Sequence, residues 1–296
     1  MSEHTAYEPQ QEAPPVCPRH PDRVSYVRCQ RCGRPVCHEC QRPAAVGVQC
    51  VDCVRAQAKS ARSTRTVFGG NVSDTPVVSY GIIALCVLVF VGQVLRPGLT
   101  RDIEFVPVLG DHEPWRFLTV AFAHAGVTHI LFNMLALWMV GAQYVERLLG
   151  GARYAALYLV SALGGSVVYL LMASPPSTVA EAQHSLWFTP TVGASGAVFG
   201  LFGALLVLNR HLGRSSAGMW ATIAINAVIG FVLPNIAWQA HLGGFLTGAA
   251  VAAVVAWTSS RERRRWQWPG VVAVLAVLVV LAAVKYAVSP DLAVIG

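Results

Sequence analysis

The chain has 296 residues, of which 54% are hydrophobic and only 12% charged, and its mean hydropathy lies well above zero. A water-soluble domain of this size would lack the polar surface to cover itself, so composition excludes a soluble globular enzyme and indicates a polytopic membrane protein. The net charge of +7 is unevenly spread: residues 1–70 carry ten Lys or Arg against six Asp or Glu and no long apolar run, which marks an extramembrane region.

The first fifteen residues, MSEHTAYEPQQEAPP, are polar and hold no apolar stretch of the kind a secretory signal needs. Residues 1–16 therefore read as a disordered tail, with the N-terminus expected on the cytoplasmic side. Seven of the eight cysteines follow between Cys17 and Cys53. In a reducing compartment such a concentration favours metal binding over disulfides.

The spacing resolves into four pairs, each with two intervening residues: Cys17 with His20, Cys29 with Cys32, Cys37 with Cys40, and Cys50 with Cys53. Each turn brings two donors to one side of a tight loop, and a second turn completes a tetrahedron, so eight ligands suit two structural zinc ions. Iron–sulfur or free thiols are the alternatives. So short a segment has little apolar core, and the metal would supply its folding free energy. Full coordination by protein leaves no open position, so the metals are expected to be structural and catalysis to need no cofactor. His38 is a second candidate ligand, with a solvated loop histidine as the other reading. Arg28, Arg31, Arg34 and Arg42 read as a solvated basic surface, and nucleic acid is not an expected partner. The ligand order resembles the B-box type of cross-braced zinc finger. That resemblance implies that Cys17, His20, Cys37 and Cys40 share one ion, and Cys29, Cys32, Cys50 and Cys53 the other, over a domain at residues 17–53.

Residues 54–76 are small, polar and basic and read as a flexible linker. Beyond them, apolar runs long enough to approach the roughly 20 residues of a membrane span lie near 77–95, 117–141, 153–173, 194–210, 217–234, 239–257 and 270–288. With the N-terminus inside, the inner loops hold Arg147, Arg153, Arg210, Arg214 and the basic stretch 259–269. The outer loop 174–193 holds no Lys or Arg. This is the positive-inside distribution, and seven spans place the short tail 289–296 outside. Lys285 sits near the outer end of the last span, where its stem snorkels towards the headgroups.

The same topology delivers polar residues to one depth. Ser195 opens the fourth span in the stretch TVGASGAVFG, His241 opens the sixth, and His129 and Asn133 lie near the start of the second. Polar and ionisable groups inside spans are costly and mark sites. A serine whose proton a histidine can take is an acyl-transfer nucleophile. No acidic residue falls within a span to orient the imidazole, so the arrangement is a Ser195–His241 dyad. His129 and Asn133, four residues apart on one helical face, direct N–H groups to a common point suited to an oxyanion. Gly193 and Gly196 allow tight backbone, and Gly196, Gly200 and Gly203 form a small-residue ridge facing Gly244 and Gly248.

Together, WR (Trp115, Arg116), HAGVTHILFN (His124, His129, Asn133), GASG (Gly193 to Gly196) and AHLGGFLTG (His241, Gly244, Gly248) resemble the rhomboid intramembrane serine proteases, in family order over residues 77–258. The resemblance implies an all-α polytopic membrane protein: a six-helix rhomboid core at 77–258, with an appended seventh transmembrane helix at 270–288 and a small zinc-stabilised N-terminal domain. It implies Ser195 as nucleophile, His241 as base, and His129 and Asn133 as oxyanion donors. His124 gains a positioning role, with plain core hydrogen bonding as the equal reading, and Phe199 stacks on the base. Trp115 and Arg116 belong to an outer-interface loop or act as a plain aromatic-belt anchor. The expected activity is endopeptidase cleavage of transmembrane protein substrates at or just outside the outer half of the lipid bilayer, in a bacterial plasma membrane. A cytoplasmic protein partner is expected for the zinc domain. The alternative is an idle membrane adaptor that uses the zinc head for binding. A zinc-dependent protease lacks the H-E-x-x-H it would need, and a transporter the internal repeats.

Overall fold

The computed structural model describes residues 13–60, 65–218, 220–221, 223–224 and 236–289. The chain divides into two compact units, Met1–Ser63 and Thr64–Gly296.

In the first unit, strands β1 (Val16–Cys17) and β2 (His20–Val24) pair antiparallel. Strand β3 (Gln41–Pro43) pairs antiparallel with β4 (Val48–Cys50), with Gln41 opposite Cys50, and helix α1 (Val51–Ser60) follows at once. Hairpins this short are not stable alone in water. The buried cluster consists of six cysteines with only Val36 and Val51 beside them. The interior of this unit is thus its thiols. At the surface Arg23 pairs with Glu39 at 2.7 Å, and that guanidinium holds the Glu39 carboxyl below its usual range.

The second unit is helical: α2 (Val77–Leu95), α3 (Leu99–Ile103), α4 (Arg116–Thr119), α5 (Val127–Ala136), α6 (Glu146–Leu149), α7 (Gly151–Met172), α8 (Val179–Ala182), α9 (Ser195–His211), α10 (Trp238–Trp257) and α11 (Gln267–Val288). Among the described residues, four stretches are long and apolar enough to cross a membrane: α2, α7, α10 and Arg264–Val288. A fifth joins them if the bent pair Arg116–Phe122 and Val127–Leu149 is one span. Helix α9, at 17 residues, is about 26 Å long, shorter than the hydrocarbon core of about 30 Å, and is buried along most of its length. The span expected at 217–234 lies largely outside the described residues, as do most of the tails at 1–16 and 289–296.

Where a continuous span is expected at 117–141, the chain instead bends by 92° between Arg116–Phe122 and Val127–Leu149. Gln93 of α2 explains the break. Its Oε1 accepts from the His124 N–H at 3.0 Å, and its Nε2 donates to the His124 carbonyl at 3.2 Å, so this peptide is satisfied outside a helix. Between α5 and α6 the helix widens into a π-helical stretch, Leu137–Val145. Gly141 in its middle leaves the place of a Cβ to the Tyr154 hydroxyl. Gly150, at φ 77°, adopts a left-handed conformation that ends α6 and lets α7 start immediately.

Much of the stretch read as a linker is ordered. Residues 51–60 are helical, and beyond 61–64, which lie outside the described residues, the segment 65–71 folds onto the second unit with Phe68 fully buried. Gln267 holds it there, donating from Nε2 to the carbonyls of Phe68, Val255 and Thr258, while Arg153 Nε donates to its Oε1 at 2.9 Å.

Glu146, 5% exposed, caps the start of α2 from across the bundle. Its carboxylate accepts from Val78 N at 3.0 Å, Ser79 N at 2.8 Å and Ser79 Oγ at 2.7 Å, satisfying N–H groups that a helix start otherwise leaves orphaned. Glu146→Ala is expected to cost about 2–3 kcal/mol, because charge-assisted bonds to buried donors are lost together. Thermal unfolding in detergent should show a midpoint several degrees lower, with Glu146→Gln in between.

Helices α7, α9 and α10 form the tightest contacts. A Cβ on Gly244 or Gly248 of α10 would overlap the carbonyls of Gly196 or Gly200 of α9. The two backbones touch directly, as small-residue ridges allow. Helix α11 lies against α7 and α10.

Candidate active site and metal clusters

The backbone contact between α9 and α10 brings Ser195, the first residue of α9, beside His241, in the first turn of α10. His241 Nε2 and Ser195 Oγ are 2.9 Å apart. The Phe199 ring, one turn along α9, lies parallel to the imidazole at 4.2 Å between centroids and 7° between planes. Stacking therefore fixes the ring plane where a carboxylate would otherwise do so. No acidic side chain is among the described residues lining this cavity.

Gly193 sits at φ 136°, which side-chain-bearing residues rarely adopt, and its N–H donates to the Val120 carbonyl at 3.0 Å. A Cβ here would lie 2.8 Å from His129 Nε2 and 3.3 Å from Ser195 Oγ, so the glycine keeps the space beside both side chains open. His129 Nδ1 accepts from the Ala125 N–H at 3.3 Å. In the neutral ring that bond places the proton on Nε2, the nitrogen facing the site. Asn133 lines the same cavity; its Nδ2 donates to the His129 carbonyl at 2.9 Å and keeps a second hydrogen for another acceptor. Ser195 N, at the helix start, has no intrahelical acceptor.

His124 is buried edge-on to His129, with ring centroids 5.3 Å apart, and its Nδ1 donates to the Phe122 carbonyl at 3.2 Å. Its place is behind His129, not against Ser195. Trp115 is 53% exposed, whereas Arg116 is buried. Arg116 pairs with Glu113 and donates to the carbonyls of Arg101 and Glu104, so it ties the loop around α3 together and is no mere belt anchor.

The cavity measures about 1610 Å³ and runs from Ser195 and His241 past Phe132, Met139 and Leu205 to Asn209 and Arg214. Its walls are chiefly apolar side chains of α5, the π-helical stretch and α9. Two contributors escaped the sequence reading. One is Gln93, a lone amide in an otherwise apolar span, whose cost in a membrane was the available signal. The other is the backbone pairing of Phe105 with Thr191, at 3.0 and 2.8 Å, which no residue-type pattern announces.

In the first unit all eight expected ligands gather into two clusters, Cys17, His20, Cys37, Cys40 and Cys29, Cys32, Cys50, Cys53, each with donor atoms within 4.8 Å of one another. The pairs alternate along the chain, so the clusters interlock. The Sγ atoms of Cys32 and Cys50 lie 3.8 Å apart, the edge of a tetrahedron with metal–sulfur bonds of about 2.3 Å. His20 Nδ1 lies 3.2 and 3.4 Å from the sulfurs of Cys37 and Cys40. Burial alone would raise the Cys17 and Cys29 thiols, but N–H groups, including Cys50 N on Cys29 Sγ at 3.2 Å, outweigh it and hold both at about 6. Each cluster thus offers a thiolate at neutral pH. All eight cysteines of the chain are free thiols, and His38 belongs to neither cluster. The residues present fit structural metal ions.

The helices and the closed set of polar groups within them define a multi-pass membrane protein. The rhomboid domain model matches residues 111–258, half of the chain, and the chain belongs to the rhomboid family. It is 33% identical to rhomboid protease GluP of Bacillus subtilis over 61% of this chain and 35% of that protein. It is 35% identical to RHOMBOID-like protein 2 of Arabidopsis thaliana over 54% of this chain and 50% of that one. Identity to the putative rhomboid protease YdcA of Bacillus subtilis is 36%, over 53% and 73% respectively. The matched stretch thus spans between a third and a half of the first two relatives.

Proposed function

We propose that the protein is an intramembrane serine endopeptidase that cleaves transmembrane protein substrates. The observation that carries the reading is the 2.9 Å approach of His241 Nε2 to Ser195 Oγ, with the imidazole stacked on Phe199 at the head of an apolar cavity. Ser195 is the nucleophile and His241 the general base. As Oγ attacks the scissile carbonyl, its proton passes to Nε2, and the carbonyl oxygen becomes an oxyanion. His129 Nε2–H, the Asn133 amide and the Ser195 N–H are the donors that meet this charge. His241 then gives its proton to the leaving amine. Water, deprotonated by the same imidazole, cleaves the acyl-enzyme and restores the serine. The chemistry draws on protein groups alone.

The architecture proposed is a six-helix core followed by α11 as a seventh span, in the membrane of a bacterium with the N-terminus inside. The metal proposed for both head clusters is zinc, which suits a donor set of seven thiolates and one imidazole with no open position.

The direct test is labelling of the purified protein by a fluorophosphonate, which reacts with an activated serine. A single adduct on Ser195 is expected, and an unlabelled wild-type protein would end the proposal. Separately, His129→Ala and Asn133→Ala should each lower kcat by about 10²–10³, the usual cost of one oxyanion donor, while leaving some turnover measurable on a single-span substrate. Unchanged kcat in both variants would remove these residues from the oxyanion site.

A further inference from the structure

Helix α11 lies beyond the residues that match the rhomboid domain, and most of its side chains face outward. Near its end, however, one side chain is engaged on three sides. Tyr286 donates its hydroxyl to the Pro107 carbonyl at 2.7 Å. Its ring meets Trp187 edge-on with centroids 6.0 Å apart. Gly110 leaves the space the hydroxyl occupies, since a Cβ there would collide with it. Pro107–Leu109 and Leu186–Phe188 are two short 3-10 turns from separate loops, and Tyr286 is wedged against both.

Each turn leads within a few residues to the catalytic layer. Two residues before Pro107, Phe105 exchanges backbone hydrogen bonds with Thr191, and the buried Phe105 ring packs on Phe117 and Tyr169. On the other side of Trp187, the Thr189 carbonyl accepts from the Tyr169 hydroxyl at 3.2 Å. Residues 189–193 form a wall of the cavity and run directly into Ser195. Pro107 and Trp187 therefore hold the two clamps of the extended segment that delivers Gly193 and the nucleophile, and Tyr286 holds Pro107 and Trp187.

From this geometry we infer that Tyr286 is a positioning residue for the catalytic serine: helix α11 acts as a strut that fixes the extended segment 189–193 through Pro107 and Trp187. The inference rests on the assignment of Ser195 as nucleophile. The tyrosine touches neither substrate nor reacting atoms. Its effect is on how often Gly193 and Ser195 occupy the reactive geometry, so it belongs in kcat and in the rate of serine modification, not in KM.

The test uses the full chain and reads fluorophosphonate labelling rate at Ser195 alongside kcat and KM on a single-span substrate, well below the thermal midpoint of every variant. Tyr286→Phe keeps the ring against Trp187 and deletes only the donor; Tyr286→Ala removes both contacts. Labelling rate and kcat are expected to fall about fivefold in Tyr286→Phe, as for loss of one hydrogen bond, and further in Tyr286→Ala, with KM within twofold of wild type. Val280→Ala, on an exposed part of the same helix, should match wild type. Wild-type rates in Tyr286→Phe and Tyr286→Ala overturn the inference, as does a loss confined to KM. If Tyr286→Ala does not fold, Tyr286→Phe decides alone. A wild-type protein that fails to label overturns the assignment of Ser195 itself, a result distinct from either.

Discussion

Replacing Ser195 with alanine is expected to abolish cleavage of a single-span substrate, a loss on the order of 10⁴-fold or more that takes turnover to the detection limit. His241→Ala should do the same, because nucleophile and base act as one unit and neither works without the other. The fold should survive both changes. Ser195 is the first residue of α9, and the hydrogen bond its Oγ makes is to His241, so removing one oxygen leaves the α9–α10 contact untouched. That contact is made by the backbones of Gly196 and Gly200 against Gly244 and Gly248, and needs no atom of the Ser195 side chain. Circular dichroism and thermal midpoints in detergent should therefore match wild type. Retained cleavage in the Ser195→Ala protein would mean that another group performs the attack, and the dyad would have to be abandoned.

The same pair of helices shows what was legible beforehand. Small residues three or four positions apart on 196–203 and 244–248 announced a close crossing, and a crossing that close has few ways to place Ser195 except near His241. Helix ends were readable to within a few residues wherever the apolar run was uninterrupted, as at 77–95, because the membrane demands about the same length each time. The stretch expected as a continuous second span is bent for a physical reason. Residues 117–126 are as apolar as a helix interior, but Gln93 takes up the backbone of His124 and draws the chain into a bend, a contact between residues 31 apart. The fixed segment 65–71 was hidden likewise: its anchor is Gln267, nearly two hundred residues away. Composition reports which solvent a segment prefers, whereas these two features depend on which distant amide meets which carbonyl.

The head was legible because the spacing of metal-ligand pairs is written in the chain, and the eight residues so spaced gather into two clusters. It follows that the largest stability effect in the protein should be a metal effect. Structural zinc contributes about 10–16 kcal/mol to small domains of this kind, far more than two buried valines can supply. Chelation, or Cys29→Ser, should therefore unfold the head. Since the two ligand sets alternate along the chain, opening the cluster of Cys29, Cys32, Cys50 and Cys53 also frees the loops that position Cys37 and Cys40 for the other. Metal analysis is expected to read about two zinc ions per wild-type chain and no more than one in Cys29→Ser, with the head's amide protection lost in the same variant. The second unit is a compact body with its own core, so its spans should persist and Ser195 should still label. Fewer than two ions in the wild-type protein would break the ligand assignment. Loss of labelling in Cys29→Ser would show that the catalytic layer depends on the folded head, which the separate cores do not lead one to expect.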